Sequence, residues 1–434
     1  MSLSVAYDIT KLAELYASRD YKVGISRTIE RLLIELLKLN TIDLKIVSIC
    51  GNSPPLCTVA SNLYIREVHH LKHCLDSDYK SILLSKLFYQ TILTIYCHIN
   101  KSKLDYYSPH LIATKAIYKF LDKTSIISRD TSYIFEPLNY NLIHLTSLQL
   151  PKKNVINFLP RLITVYDLIP IKATQYTNLL LAKTFQESLN NINIQKDWVT
   201  CISEYTRQEF CEYTGMSLER AFVTPLAADE QFYPVDNQEE IQLTRQRYNI
   251  PEGDYFLCLA SHLEPRKNIP FLIRSFIQLI NEQPNLDINL VLIGSLRHKR
   301  PEIISLMEEL RAYSQRIIFT GYVPDEDLSA LYSGAKAFIF PSLQEGFGLP
   351  ILEAMQCGTP VISSNATSLP EVAGEAAILI NPYDKDELSQ AMLNLLSDEN
   401  LRNELTQKGL ERAKQFSWSK CAQETVEIYQ KIAK

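Results

Sequence analysis

Between Tyr255 and Ile380 short apolar runs alternate with stretches of helical spacing, and this alternation limits the fold more than any other feature of the chain. YFLCLA, INLVLIG, RIIFTGYV, AKAFIFPS, TPVISS and AAILI read as strands, with IPFLIRSFIQLI and LSALYSGA as helices between them. The strands are apolar on both faces, so helices must cover both sides of the sheet they form. That is a doubly wound α/β domain.

The N-terminal half repeats the theme less cleanly. LSVAYDI is a strand, and ISRTIERLLIELLKL a helix with Ile29, Leu32, Leu33 and Leu36 on one face. LKIVSI follows as a strand, completing a βαβ unit. Residues 50–140 have weak periodicity and predict mixed helices. RLITVYDLIPI and WVTCISEY restore the strand pattern, and EYTRQEFCEYTG runs to a glycine stop. At 434 residues the chain is too long for one ordinary core. The polar, proline-bearing stretch from about Pro225 to Glu252 is the best boundary. It gives a domain over 1–228 and a second over 240–416, with a cleft between two αβ units.

Composition then removes several functions. Apolar residues at 46% and charged residues at 21% leave no room for long disorder. A net charge of −5 supplies no basic footprint for nucleic acid. The 9 cysteines form no CxxC pair and are an odd number, which predicts reduced core thiols. MSLSVAYDITK has no signal-peptide character, and no apolar run reaches a membrane span. The nearest run, SILLSKLFYQTILTIYCHI at 81–99, is broken by Lys86 and Gln90 and predicts a buried helix. A cytoplasmic protein is expected, with peripheral contact at the inner membrane face as the second placement. Asp325-Glu326-Asp327 resembles an acidic metal motif but precedes a helix, so N-capping explains it. His69, His70 and His73 have no partner at ligand spacing and read as solvated. No P-loop occurs.

In a doubly wound sheet ligands bind beyond the carboxyl ends of the strands. The loops there hold the unusual residues. In FPSLQEGFGLPILEAMQCGTPVI a buried strand ends at Pro341, two glycines follow, and Pro350 opens a helix. Gly346 and Gly348 admit close backbone approach, and the helix start offers N–H groups to an anion. Glu345 lies in the loop. Glu353 is one turn into the helix, where it either binds hydroxyls or is a solvated glutamate favoured by the helix dipole. In LCLASHLEPRKNIPFLI the adjacent Arg266 and Lys267 oppose a helix dipole, so they read either as solvated, exposed loop charges or as a pair with an anion beside it.

These strings resemble the donor domain of the retaining nucleotide-sugar glycosyltransferases of family four, of the mannosyltransferase-like group 1 type. The resemblance is carried by ASHLEPRKN, LVLIGS, IIFTGYVPDEDLSALYSGAKAFIFPSLQEGFGLPILEAMQCGTPVISS and SSNATSLPEVAGEAAILINP, with the paired glutamates Glu345 and Glu353. It is weaker in the first half, through Gly24-Ile25-Ser26-Arg27, TVYDLIPI and TCISEYTRQEF. It implies the GT-B architecture, two Rossmann-like doubly wound domains facing a central cleft, with the last helix at 417–434 crossing back onto the first domain. It also implies roles. Arg266 and Lys267 bind the donor diphosphate, and Glu345 contacts sugar hydroxyls. The backbone of Gly346, Phe347, Gly348 and Leu349 lines sugar and phosphates. Glu353 holds the ribose, and Tyr322 and Val323 lie where the base packs. Gly24 lets the first domain approach the diphosphate, and Tyr166 and Asp167 contact substrate from TVYDLIP. Tyr166 stands where related enzymes often carry a histidine, and Ser261 and His262 stand where many members have an arginine.

The function that follows is hexose transfer with retention from a nucleotide-diphosphate sugar, GDP-mannose first and a UDP-sugar second. The acceptor is a glycan, a lipid-linked or a small molecule, and neither cofactor nor metal is required. Glu345, being on the sugar, is expected to leave the binding of a bare nucleoside diphosphate untouched when altered, whereas Glu353 is expected to weaken it. A hydrolase or epimerase would need a positioned water or base that the sequence does not offer. From another class, a non-catalytic nucleotide-sugar binder or assembly partner rests on Tyr166 alone.

Overall fold

The computed structural model describes residues 3–12, 24–47, 139–148, 150, 158–177, 179–261, 264–294, 313 and 315–434. The helices expected over 50–140, the run at 81–99, His69, His70, His73, His262 and the cysteines at 50, 57, 74 and 97 lie outside them. By compactness the chain divides into two units. One comprises Met1–Val165, Phe185–Thr200 and Ala422–Lys434, and the other Tyr166–Thr184 and Cys201–Cys421.

The first sheet contains β1 (Leu3–Asp8), β2 (Ile42–Val47), β3 (Leu142–Leu145), β4 (Arg161–Val165), β5 (Trp198–Cys201) and β6 (Ala221–Val223). Its order is β2-β1-β3-β4-β5-β6, and β1 runs parallel to both of its neighbours. Helix α1 (Ile25–Lys38) buries Ile29, Leu32, Leu33 and Leu36, the face expected from their spacing. His144 of β3 is fully buried, with Nδ1 2.6 Å from the Tyr429 hydroxyl and Nε2 2.7 Å from that of Thr164. Burial holds its pKa down at about 3, so the ring is neutral and one nitrogen donates while the other accepts. Arg161 and Asp197 form a second buried polar pair, with Arg161 Nε donating to Oδ1 at 2.7 Å.

The helices that follow α1 are α2 (Ile169–Lys172), α3 (Leu179–Leu189) and α4 (Glu204–Thr214). Ser203 caps α4 by accepting from Thr206 N, and Gly215 closes it in the left-handed conformation, the stop expected from the sequence. The stretch read as a linker contains a helix that the sequence reading missed, α5 (Gln238–Arg247). Its pattern is almost entirely polar, and only Ile241, Thr244 and Arg245 are buried. Asn237 starts it by accepting from the N–H groups of Glu239 and Glu240.

The second sheet is built from β7 (Asp254–Ser261), β8 (Ile288–Gly294), β9 (Ile317–Gly321), β10 (Ala337–Phe340), β11 (Val361–Ser364) and β12 (Ala377–Ile380). Its helices are α6 (Ile269–Glu282), α7 (Asp325–Ser333), α8 (Leu349–Gln356), α9 (Leu369–Ala373), α10 (Lys385–Ser397) and α11 (Glu399–Ala413). The last helix of the chain, α12 (Trp418–Ile432), begins in the second unit and continues into the first. The order is β12-β11-β10-β7-β8-β9, with parallel pairing throughout. The apolar runs of the inner strands are buried along most of their length, as β8 and β10 illustrate, whereas the edge strands β9 and β12 are only partly buried. Among the described residues Cys201, Cys211, Cys258, Cys357 and Cys421 are buried, as expected of core thiols.

This order decides where a site can form. The chain steps outward from β7 through β8 to β9, returns to the other side of β7 at β10, and continues to β12. Connections leaving β7 and β10 therefore diverge to opposite faces, and a crevice opens at their carboxyl ends.

Candidate functional site

Both diverging loops carry charge into that crevice. After β7 a short 3-10 turn, Pro265–Lys267, leads to Asn268, whose left-handed backbone starts α6. After β10 comes the segment from Pro341 to Gly348. The two are tied by Leu343 N donating to Arg266 O at 2.7 Å. Lys267 Nζ then lies 2.7 Å from Glu345 Oε1, and Arg266 Nη1 2.6 Å from Oε2. Arg266 also donates to Glu264 Oε2 and to Gln344 O, at 2.7 and 3.2 Å. The Lys267 ammonium sits 4.7 Å from the centre of the Phe340 ring.

Lys267 is only 8% exposed, which corrects the reading of this pair as exposed loop charges. Burial by itself would raise the Glu345 carboxyl. The charges of Lys267 and Arg266, with the hydrogen bond from Lys267, more than offset that and hold it below the usual carboxylate range. Glu345 is thus an anion clamped by two cations. The anion that the basic pair wanted is supplied from the second loop of the crevice.

Gly346 meets this cluster from the other side. A Cβ there would lie 2.2 Å from Tyr166 O and 2.9 Å from Asp167 Cβ, so only glycine fits against the TVYDLIP turn. Asp167 Oδ1 accepts from Ile169 N at 3.0 Å. Burial pushes its carboxyl up to about 6; the Ile169 N–H and Arg266 pull it down, while Glu345 and Glu209 push it further up. Tyr166 has its phenol held far above its ordinary range, first by burial and then by Cys421. At neutral pH the phenol therefore keeps its proton.

Glu353 on α8 is buried and accepts from the Tyr332 hydroxyl at 3.1 Å, so it is not a solvated first-turn glutamate. Val323 is buried and Tyr322 is 77% exposed, immediately after β9. Gly348 starts α8 with φ 134, a conformation that side chains rarely adopt, and Leu349 and Pro350 form the first helical turn. Gly24 starts α1 in the first unit with φ 52, a conformation that favours glycine, and among the described residues nothing lies within 4 Å of where a Cβ would stand.

The acidic motif is corrected. Asp325, Glu326 and Asp327 lie inside the first turn of α7, and the N-cap position before them is taken by Pro324. Asp327 is instead ion-paired to Arg247 of α5 and accepts from the Tyr248 hydroxyl at 2.5 Å. Among the described residues no group of three potential metal ligands forms.

Three hydroxyls at this site were not foreseen. Ser203 and Thr206 donate to Gly346 O at 2.7 and 3.1 Å. Ser368 Oγ lies 2.9 Å from Glu345 O and 2.7 Å from Phe347 O. Serine and threonine ahead of helices read only as caps, and nothing in their spacing points to partners more than 20 residues away.

Residues 240–412 match the family model for glycosyl transferases group 1. O-antigen chain mannosyltransferase B of Escherichia coli is 36% identical over 249 residues, 57% of this chain and 63% of that protein. Serotype-specific mannosyltransferase WbdA of Escherichia coli is 37% identical over 238 residues, 54% of this chain and 29% of that protein. The chain therefore spans less than two thirds of the length of either relative. Anabaena Alr3699/HepE, solved in complex with UDP and glucose, shares the fold with a TM-score of 0.61 at 16% identity, over 99% of both chains.

Proposed function

We propose that this chain, whose residues 240–412 are a glycosyl transferases group 1 domain, transfers a hexose from a nucleotide-diphosphate sugar to a glycan, lipid-linked or small-molecule acceptor, retaining the anomeric configuration. The observation that carries this is the convergence of Arg266 and Lys267 on Glu345 at the β7–β10 divergence. Two cations in a buried crevice, beside a loop and a helix start rich in N–H groups, suit a diphosphate. Their chemical task is to stabilise charge that grows on the leaving diphosphate, which is where such preorganised groups do most. A leaving phosphate oxygen can take the acceptor proton, so this route needs neither a side-chain base nor a metal. Glu353, oriented by Tyr332, would hold the ribose, and Val323 with the exposed Tyr322 would bound the base. Glu345 and Asp167 would face the transferred sugar.

GDP-mannose is the first donor proposed, supported by the mannosyltransferase names of the two relatives. A UDP-sugar is the second, supported by the UDP complex of the Anabaena protein. A cytoplasmic enzyme working at the inner membrane face would suit a lipid-linked acceptor; no helix among the described residues is long and apolar enough to cross a membrane.

A thermal-shift screen against GDP, UDP and ADP, followed by turnover of the matching sugar nucleotides with and without EDTA, tests this reading. A ligand at a hundred times its Kd adds about 2.7 kcal/mol of stability. Transfer that persists in EDTA is expected, and a loss restored by magnesium or manganese would overturn the metal-free route. A folded protein that no nucleotide stabilises and that consumes no donor would end the proposal. One that binds donor without consuming it would be the non-catalytic binder.

A further inference from the structure

The loop from Glu345 to Gly348 has its carbonyls and its N–H groups treated in opposite ways. Glu345 O and Phe347 O share the hydroxyl of Ser368, and Gly346 O accepts from both Ser203 and Thr206. The N–H groups of Gly346, Phe347 and Gly348 donate to no partner among the described residues. In a trans peptide the C=O and N–H point to opposite sides. Fixing each carbonyl on a hydroxyl therefore fixes the direction of the N–H that follows it.

Resting on the donor-site reading above, we infer that Ser203, Thr206 and Ser368 are positioning residues whose hydroxyls hold these carbonyls so that the loop presents its N–H groups to the donor diphosphate.

Two observations separate this from ordinary capping. Ser368 occupies the N-cap position of α9, where serine normally accepts from the helix N–H groups. It makes no capping bond there, and its hydroxyl goes to the loop instead. Its neighbour Thr367 is β-branched yet held at φ 55, a conformation with a cost of its own, and its Oγ1 accepts from Glu345 N at 3.1 Å. Thr206 likewise uses its hydroxyl on Gly346 O, while the capping of α4 is done by Ser203 Oγ.

The test uses Thr206→Val and Ser368→Ala, singly and together, since neither change removes a capping acceptor. Affinities for GDP and guanosine, and for UDP and uridine, are measured by calorimetry and by ligand-observed NMR for the weak nucleosides, with melting temperatures recorded alongside. The double variant should bind the diphosphate about tenfold more weakly, the scale of one or two lost hydrogen bonds, with nucleoside affinity unchanged. Thr206→Ser, which keeps the hydroxyl, should restore most of the loss. Equal losses for nucleoside and diphosphate, or a lower melting temperature with an unchanged affinity ratio, would reduce the hydroxyls to a folding role and overturn the inference. If wild type binds none of these nucleotides, the donor-site reading itself fails and takes the clamp with it.

Discussion

Changing Glu345 to glutamine exposes the logic of the charge cluster most directly. Glu345 was expected to touch only the sugar, so a bare nucleoside diphosphate should ignore its loss. The geometry reverses that expectation. Glu345 already occupies the cations a diphosphate would use, with contacts of 2.6 and 2.7 Å. A phosphate oxygen held by Lys267 at an equal 2.7 Å contact lies at most about 5.4 Å from the carboxylate oxygen on its opposite side. Two unit charges at that distance in an effective dielectric of about 20 repel by about 3 kcal/mol. Glutamine removes the repulsion and leaves Arg266 and Lys267 less neutralised, so diphosphate affinity should rise between about tenfold and a hundredfold. Turnover should fall, because a carboxylate near the sugar favours the positive character that develops as the bond to phosphate breaks. Folding stability should also fall, since two partly buried cations lose their shared partner.

Calorimetric titration of wild type and Glu345→Gln with GDP and UDP reads the first effect, and urea unfolding the last. A variant that folds yet binds the diphosphate no more tightly would show that Glu345 does not compete for the cations. The scheme would then return to Glu345 serving the sugar alone.

Two further predictions come from the same cluster. Lys267→Ala should cost about 3 kcal/mol of stability in urea unfolding, the lower end for breaking a buried pair because Arg266 remains, and should lower turnover a hundredfold or more; near-normal values of both would make Lys267 a bystander. Asp167 has its carboxyl raised by burial from an ordinary 3.8 to about 6, so the folded state keeps a proton that the unfolded chain releases. Stability should therefore decline as pH rises from about 4 to about 6, by at most about 3 kcal/mol, and Asp167→Asn should remove that decline. Parallel unfolding-versus-pH curves for the two proteins would refute the assignment.

The second unit was legible because its signals are local. Each strand of the second sheet is a single apolar run, and Gly346, Gly348 and Pro350 announce a strand–loop–helix turn within ten residues of one another. What escaped the sequence depends on contacts between distant segments. Lys267 and Glu345 are 78 positions apart, and no spacing rule states that they meet. Their pairing turned two apparently exposed cations into a buried, balanced cluster. Helix α5 escaped for another reason: with three buried positions it has hardly any apolar face, and its position comes from Asn237 at one end and from the Arg247–Asp327 pair at the other. The acidic run of α7 looks like a cap in the sequence because it stands beside a helix start. Pro324 takes the cap position and leaves Asp327 free to reach Arg247.

The sequence order of the second sheet shows why so much of a donor site can be concentrated in short motifs. Only one place in a doubly wound sheet has loops diverging at the carboxyl ends, and here it falls between β7 and β10. Whatever binds there must be served by the loops after those two strands, and those loops hold Arg266, Lys267, Glu345, Gly346 and Gly348. The supporting hydroxyls come from segments that merely pass nearby, α4 and the turn before α9, so their sequence context speaks of helix starts and not of ligands. An acceptor has no comparable constraint. Its recognition can be distributed over any loops that surround the reacting sugar, and no topological rule concentrates them into a motif. A donor site fixed by topology and an acceptor site free of it would let one domain plan serve many glycans, so the short motifs of this chain bear on the proposed donor and the acceptor is left to the surrounding loops.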